Sequence, residues 1–280
     1  MEEIARTSSY PASVDQLLTY GEAEVVKPDD WPNYLELGLG PEHIPDLIRM
    51  ATDEELNWAD SESLEVWAPI HAWRALGQLH AVAAIEPLLT LFDTLEDSEW
   101  VMEELPEVFG MIGPAALPAL AAYLADRSHK EWPRINATSC VKEIATRWPE
   151  ARSECVAILI EQLEVFTENE PEFNAFLILA LVKLGAKEAA PLMERAFAAE
   201  RVDLIVMGDW DDVQVKLGLK SREEVEQERS RRLAETLPPS TAQKMTFPQV
   251  SSKPRHERGA AHKKAKSKMA KQSRKKNRKR

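Results

Sequence analysis

The sequence predicts an all-α chain built from repeated helix pairs. Three observations predict this fold class: a recurring apolar-Gly step, leucine-rich segments with helical periodicity, and a shortage of glycine. Only 10 of the 280 residues are Gly, while Ala, Leu and Glu, which favour helix, are abundant. The chain is 44% hydrophobic, enough for a sizeable core. No Val/Ile-rich stretch alternates with period two over a strand's length, and the one β-like stretch, 203–207, is short enough to be a connector.

The apolar-Gly step marks where helices are expected to end. Complete copies lie at Leu39-Gly40, Ile112-Gly113, Leu184-Gly185 and Leu217-Gly218, with degenerate copies at Leu79-His80 and Trp148-Pro149. Glycine suits the residue after a helix, where φ is positive, and proline stops a helix by removing an amide donor. The sequence therefore predicts turns at residues 40, 80, 113, 149, 185 and 218.

Four of the turns, at 40, 80, 113 and 185, are followed by small residues, a proline and a Leu-rich amphipathic run. In residues 114–126 the apolar side chains recur at i, i+3, i+4 and i+7 as Leu117, Leu120, Ala121 and Leu124. In residues 152–167, Cys155, Ile158, Leu159 and Leu163 lie at i, i+3, i+4 and i+8, which is also one helix face. A single helix pair cannot bury such faces, but stacked pairs can, so the pattern predicts a repeat architecture.

Three runs carry a resemblance to a known repeat family. They are the Ala-Leu-Gly-Gln-Leu step at 75–79, the run Ile-Gly-Pro-Ala-Ala-Leu-Pro-Ala-Leu at 112–120, and Leu-Gly-Ala-Lys-Glu-Ala-Ala-Pro-Leu at 184–192. Over about residues 40–218 the chain resembles bacterial HEAT-like repeats of the type first described in phycobilisome lyases. It is also similar to uncharacterised bacterial HEAT-domain proteins with a lysine-rich end. The resemblance implies an α-solenoid of about five helix pairs and no particular activity.

Charge divides the chain into an acidic body and a basic tail. Residues 253–280 hold 14 of the 35 Lys and Arg residues and one of the 47 acidic residues, so the tail carries +13 and the rest −25. We predict an N-terminal, partly helical segment at 1–30, a repeat domain at 31–237, and a disordered basic tail at 238–280. The tail has too few large apolar residues to offset the entropy of ordering.

The tail is a candidate polyanion-binding arm. Its cationic side chains from residue 263 onward are Lys263, Lys264, Lys266, Lys268, Lys271, Arg274, Lys275, Lys276, Arg278, Lys279 and Arg280. Such an arm binds phosphates by releasing counterions, without base specificity. Candidate partners are RNA, the ribosome, DNA, an acidic protein or the acidic body itself; a solubilising tail without a dedicated partner is the alternative.

A tryptophan-rich segment is the candidate binding surface of the body. On one predicted helix, Trp67, His71, Arg74 and Gln78 fall on a single face, while Ile70, Trp73 and Leu76 lean towards the core. With Trp58 and Asp60 nearby, an exposed Trp67/His71/Arg74 face would hold a peptide or an acidic ligand. The alternative is that Trp67 and Trp73 are core residues and His71 is structural.

Two groups of carboxylates are further candidates. Asp209, Trp210, Asp211 and Asp212 precede a helical pattern, where Asp209 suits a helix N-cap; the functional alternative is capture of a metal or a basic peptide. Acidic runs at 96–99 with Glu103 and Glu104, and at 168–172, are solvated surfaces or contribute to binding a basic partner.

The sequence favours binding over catalysis. It contains no GxSxG, phosphate-binding loop, GxGxxG or HExxH motif, and its two cysteines form no CxxC pair, so we expect no enzyme activity, no cofactor and no metal. The alternative is a bilin-lyase-like protein that holds a ligand on the Trp67/His71/Arg74 face.

A polar, acidic start and the absence of 18 consecutive apolar residues predict a soluble, cytoplasmic protein with a protein partner and no membrane association.

Overall fold

The computed structural model describes residues 10–24 and 26–236, with side chains as far as residue 234. Over these residues the chain is helical, with connecting segments and no strand, so the predicted all-α class is confirmed. The chain divides between Leu219 and Lys220 into two compact units. Each unit is described by itself.

The first unit contains thirteen α-helices within its described residues. They are α1 (Ala12–Asp15), α2 (Ile44–Ala51), α3 (Glu54–Asn57), α4 (Ala68–Gln78), α5 (Ile85–Thr94), α6 (Glu99–Ile112), α7 (Leu117–Ala125), α8 (Glu131–Arg147), α9 (Arg152–Glu164), α10 (Pro171–Lys183), α11 (Ala190–Ala198), α12 (Leu204–Met207) and α13 (Trp210–Lys216). Short 3₁₀ helices lie at Gln16–Thr19, Pro28–Asp30, Tyr34–Leu37, Pro41–His43, Glu65–Trp67, Val82–Ala84, Pro114–Ala116, Pro149–Ala151 and Lys187–Ala189.

Four of the predicted turns share one local structure. After α4, α6, α8 and α10 the chain turns and forms a single 3₁₀ turn before the next α-helix begins. Each 3₁₀ turn ends in a buried alanine, at Ala84, Ala116, Ala151 and Ala189. The helix ends predicted near residues 80, 113, 149 and 185 are confirmed by these turns. The small alanine side chain lets the next helix start close to the previous one.

One local prediction, the turn at Gly40, is wrong, and one expected connector contains a short helix. Gly40 has an extended backbone with φ −139°, and the left-handed residue that ends the preceding 3₁₀ helix is Gly38, with φ 79°. The apparent β-like stretch at 203–207 contains the short helix α12, because the Asp203 side chain accepts a hydrogen bond from Ile205 N at 2.7 Å and caps it.

Gly113 shows why a glycine is needed at one of these turns. Its φ of 89° and ψ of −159° lie in a region that is almost exclusive to glycine. A Cβ at this position would lie 2.8 Å from the ring of Trp148, whose Nε1 donates to the Gly110 carbonyl at 2.9 Å. The glycine thus lets an aromatic ring from the end of α8 lie directly against the turn after α6.

The longer helices pack in two rows. The helices before the four turns, α4, α6, α8 and α10, contact one another in chain order. Of the helices after the turns, α7 contacts α9 and α9 contacts α11, and α13 packs against α11 at the end of this row. Each of α5, α7 and α9 also contacts the next helix of the first row. The predicted apolar stripe at 117, 120 and 124 is fully buried between the rows, as are Cys155, Leu159 and Leu163.

The second unit contributes one described helix, α14 (Arg222–Thr236). Ser221 begins it with a reciprocal cap: Glu224 N donates to Ser221 Oγ at 3.2 Å, and Ser221 N donates to Glu224 Oε2 at 2.7 Å. Lys220 and Glu228 form an ion pair at 2.7 Å on the same segment.

Among the described residues no single helix has both the length and the apolar composition needed to span a membrane. The segments Glu99–Ile112 and Pro114–Ala125 pass that test only together, and they are bent by 109° at their junction.

Candidate functional site

The face of α4 that the sequence predicts to be exposed is buried. Trp67 is 7% exposed and packs edge-on against Trp100, with ring centroids 5.5 Å apart. His71 and Arg74 are each 1% exposed. The prediction of an exposed Trp67/His71/Arg74 face is therefore wrong. The neighbouring face, expected to be core, is buried as predicted.

A segment of the chain itself, residues 21–24 and 26–34, covers the His71, Arg74 and Gln78 side chains. His71 Nε2 lies 3.0 Å from the Gly21 carbonyl, and Arg74 Nη2 donates to the Glu24 carbonyl at 2.8 Å. Gln78 makes two bonds: its Nε2 donates to the Pro32 carbonyl at 2.9 Å, and its Oε1 accepts from Tyr34 N at 2.9 Å. These side chains thus bind a peptide backbone, and the peptide is the protein's own.

His71 is held neutral in one tautomer. A carbonyl oxygen can only accept, so the Nε2 that faces Gly21 carries the proton and Nδ1 accepts from the Tyr34 hydroxyl at 2.7 Å. Burial, together with the positive charge of Arg74, lowers the pKa of His71 to about 4. The Tyr20 ring closes the remaining side, edge-on at 4.9 Å. Burial also raises the pKa of Tyr34 well above its ordinary value.

Arg74 forms a buried ion pair with Glu104 of α6. Its Nε donates to Glu104 Oε2 at 2.8 Å, and its Nη2 donates to Oε1. Trp73 Nε1 donates to Glu104 Oε2 at 3.1 Å, so the carboxylate accepts bonds from two neighbouring residues of α4. The guanidinium also lies 4.9 Å from the ring centroid of Trp31. One arginine therefore links α4, α6 and the covering segment.

An acidic cleft of about 510 Å³ opens between the covering segment and α6. It is lined by Val26, Lys27, Pro28, Asp30, Trp31, Glu103, Glu104 and Glu107. Four of the five charged side chains are acidic, whereas the apolar part of the lining comes from the segment. Asp30 and Glu103 are exposed, Glu104 is paired with Arg74, and Glu107 pairs with Arg147 at 2.7 Å. This arrangement suits a cationic side chain with an apolar stem.

The sequence contained part of this site. The sequence indicates an acidic run that includes Glu103 and Glu104. It also predicts a binding face that includes His71 and Arg74. Neither observation indicated that Asp30 and Trp31 would face them, because the covering segment has no helical periodicity. One local signal in it is Pro28, which begins a short 3₁₀ helix.

The remaining candidates of the first unit lie elsewhere. Trp58 and Asp60 are exposed in the loop after α3, where Asp60 Oδ1 accepts from Glu62 N at 2.9 Å. Asp209 and Asp212 form a reciprocal cap at the start of α13, as the capping interpretation predicts, with Asp212 N donating to Asp209 Oδ1 at 3.0 Å.

The other two members of that group pack inwards. Trp210 lies 5.8 Å from the Phe197 ring, and Asp211 is buried. The cationic residues predicted to bind polyanions, 263–280, lie outside the described residues.

The two cysteines are buried, and burial raises the pKa of both thiols, that of Cys155 to about 11. A thiol with a raised pKa is a poor nucleophile at neutral pH. Among the side chains that the structure describes, no group of three or more His, Cys, Asp or Glu residues is placed to share a metal ion.

Comparisons with protein-family models, with curated proteins and with solved structures found no match to this chain. The function of this chain is therefore inferred from its own residues and their geometry.

Proposed function

We propose that this protein is a non-enzymatic interaction scaffold of the HEAT-like kind, whose acidic cleft binds a basic segment of a protein partner. The two rows of helices with recurring turns support a repeat stack of about five helix pairs. The observation that carries the binding proposal is the cleft between α6 and the covering segment. A Lys or Arg side chain would lay its stem along Val26 and Trp31 and its charge beside Asp30 and Glu103.

The bilin-lyase-like alternative has less support. It requires Trp67, His71 and Arg74 to face a ligand, but those side chains contact Trp100, the covering segment and Glu104. A ligand could reach them only after that segment had left.

Removing the two exposed carboxylates of the cleft is expected to weaken binding of a basic peptide. The probe is a hydrophilic synthetic peptide of Arg, Gly and Ser, titrated by isothermal calorimetry at low salt. The double variant Asp30→Asn/Glu103→Gln should raise Kd about fivefold, because each exposed ion pair contributes about 0.5 kcal/mol.

The matched control is Glu161→Gln/Glu164→Gln on the exposed surface of α9, which removes the same charge from the other row of helices. It should leave Kd within about twofold, since distant exposed charges are largely screened. Equal weakening by both double variants would show nonspecific attraction to the acidic body and contradict a cleft site.

The basic tail supplies a second proposed contact, to RNA or the ribosome. Deleting residues 253–280 removes a charge of +13 and should abolish binding of a short single-stranded RNA, measured by fluorescence anisotropy. Binding by the full chain should fall steeply between about 50 and 200 mM salt, because counterion release drives it. RNA binding that survives the deletion unchanged would assign that role to the body instead.

A further inference from the structure

Apolar side chains gather around the first turns of α10. Trp132, on the first turn of α8, is 45% exposed, and its ring meets the Phe176 ring edge-on with centroids 5.9 Å apart. Phe176 and Leu179 are partly buried one turn apart on α10. The exposed indole therefore lies beside an apolar helix face rather than standing alone.

The short helix α12 contacts α10 and carries further exposed apolar side chains. Ile205 is 95% exposed and Leu204 is 57% exposed. The segment that precedes them is attached to α10, since Asp203 N donates to the Pro171 carbonyl at 3.0 Å and Asn174 Nδ2 donates to the Arg201 carbonyl at 2.8 Å. We call Trp132, Phe176, Leu204 and Ile205 the α10 patch.

Carboxylates flank the α10 patch. Glu131 precedes Trp132, its Oε1 accepts from Phe173 N at 3.1 Å, and Glu170 and Glu172 lie at the start of α10. Burial raises the pKa of Glu131, and the negative charges of Glu172 and Glu170 raise it further. The Phe173 N–H and the charge of Arg134 lower the same pKa, and the net shift remains upward.

We propose that the α10 patch is a docking surface for a partner segment that carries large apolar side chains flanked by Lys or Arg. This proposal rests on the scaffold function and names a second surface for it. Large apolar side chains exposed around one helix mark interaction sites, and tryptophan is among the residue types most often dominant in binding. The carboxylates beside the α10 patch favour a partner segment with positive charge. A second copy would bring like charges together, and an anionic lipid surface would be repelled.

The test uses the full-length protein and two short amphipathic peptides. One has Leu at helical spacing with Lys elsewhere, and the other has Glu in place of every Lys. Binding is followed by ¹⁹F NMR of protein labelled with 5-fluorotryptophan, with the Trp132 resonance assigned from Trp132→Phe. The lysine peptide should shift the Trp132 resonance, and Trp132→Ala and Ile205→Ser should each raise its Kd about tenfold. The glutamate peptide should not bind.

The control variant is Val82→Ser, which removes an exposed apolar side chain from the 3₁₀ turn before α5 and should leave Kd unchanged. The cleft variant Asp30→Asn/Glu103→Gln should also leave it unchanged, which separates failure of this proposal from failure of the cleft. The proposal is overturned if both peptides bind equally, if neither shifts Trp132, or if Trp132→Ala binds normally. Self-association that Ile205→Ser abolishes would overturn it in favour of a second copy.

Discussion

Replacing Glu104 with alanine is expected to lower the free energy of unfolding by about 3–5 kcal/mol. The change leaves the buried Arg74 guanidinium without its carboxylate and removes the acceptor of Trp73 Nε1. An uncompensated buried charge costs about this much, far more than the net contribution of the intact pair. Urea unfolding followed by circular dichroism measures the change.

The double variant Arg74→Met/Glu104→Leu provides the control. It removes both charges and keeps apolar volume, so it should be more stable than Glu104→Ala despite carrying two changes. If Glu104→Ala unfolds at the wild-type urea concentration, Arg74 and Glu104 do not form a buried pair in solution, and the link between α4 and α6 described above is wrong.

Lowering the pH from 7 to 4.5 is expected to remove about 2–3 kcal/mol of stability through His71 alone. Its folded pKa, about 4, lies below the ordinary value of 6.5, so the unfolded chain binds the extra proton first. The contribution is complete above pH 6.5 and is lost as the pH falls towards 4. The groups facing the imidazole are Tyr20, Tyr34, Arg74 and the Gly21 carbonyl, and none of them can neutralise an added positive charge.

The measurement compares the wild type with His71→Asn in urea at both pH values. The variant should be less stable at pH 7, because asparagine cannot reproduce both hydrogen bonds of the ring. Between pH 7 and 4.5, however, the variant should lose about 2–3 kcal/mol less stability than the wild type. The carboxylates that also titrate in this pH range are common to both proteins and cancel in the comparison. Identical pH dependence in the two proteins would mean that His71 is not buried as a neutral ring.

The turns were predictable because their chemistry is local. Gly113 needs a backbone conformation that other residues avoid, and Pro149 stops a helix wherever it occurs. Gly40 was misplaced because two glycines lie close together, and Gly38 is the one that ends the preceding 3₁₀ helix.

The face shared by His71, Arg74 and Gln78 was also predictable, since helical spacing determines which side chains lie together. Its burial was not predictable. The covering segment is recognised through backbone atoms, which carry no side-chain signature, and the segment itself shows no periodicity. The pairing of Arg74 with Glu104 joins residues on two helices 30 positions apart. From the sequence alone, Glu104 is one of a run of acidic residues expected at the surface. Only the packing of α6 against α4 places it beside Arg74.

We propose that the covering segment, held by α4, forms one wall of a cleft for a basic side chain. This proposal is tested most directly by ¹⁹F NMR of the 5-fluorotryptophan-labelled protein during titration with the hydrophilic arginine peptide. We predict that the Trp31 resonance, assigned from Trp31→Phe, shifts with saturation, and that Asp30→Asn/Glu103→Gln moves the midpoint about fivefold higher. A titration in which the peptide binds while the Trp31 resonance stays in place would contradict the claim.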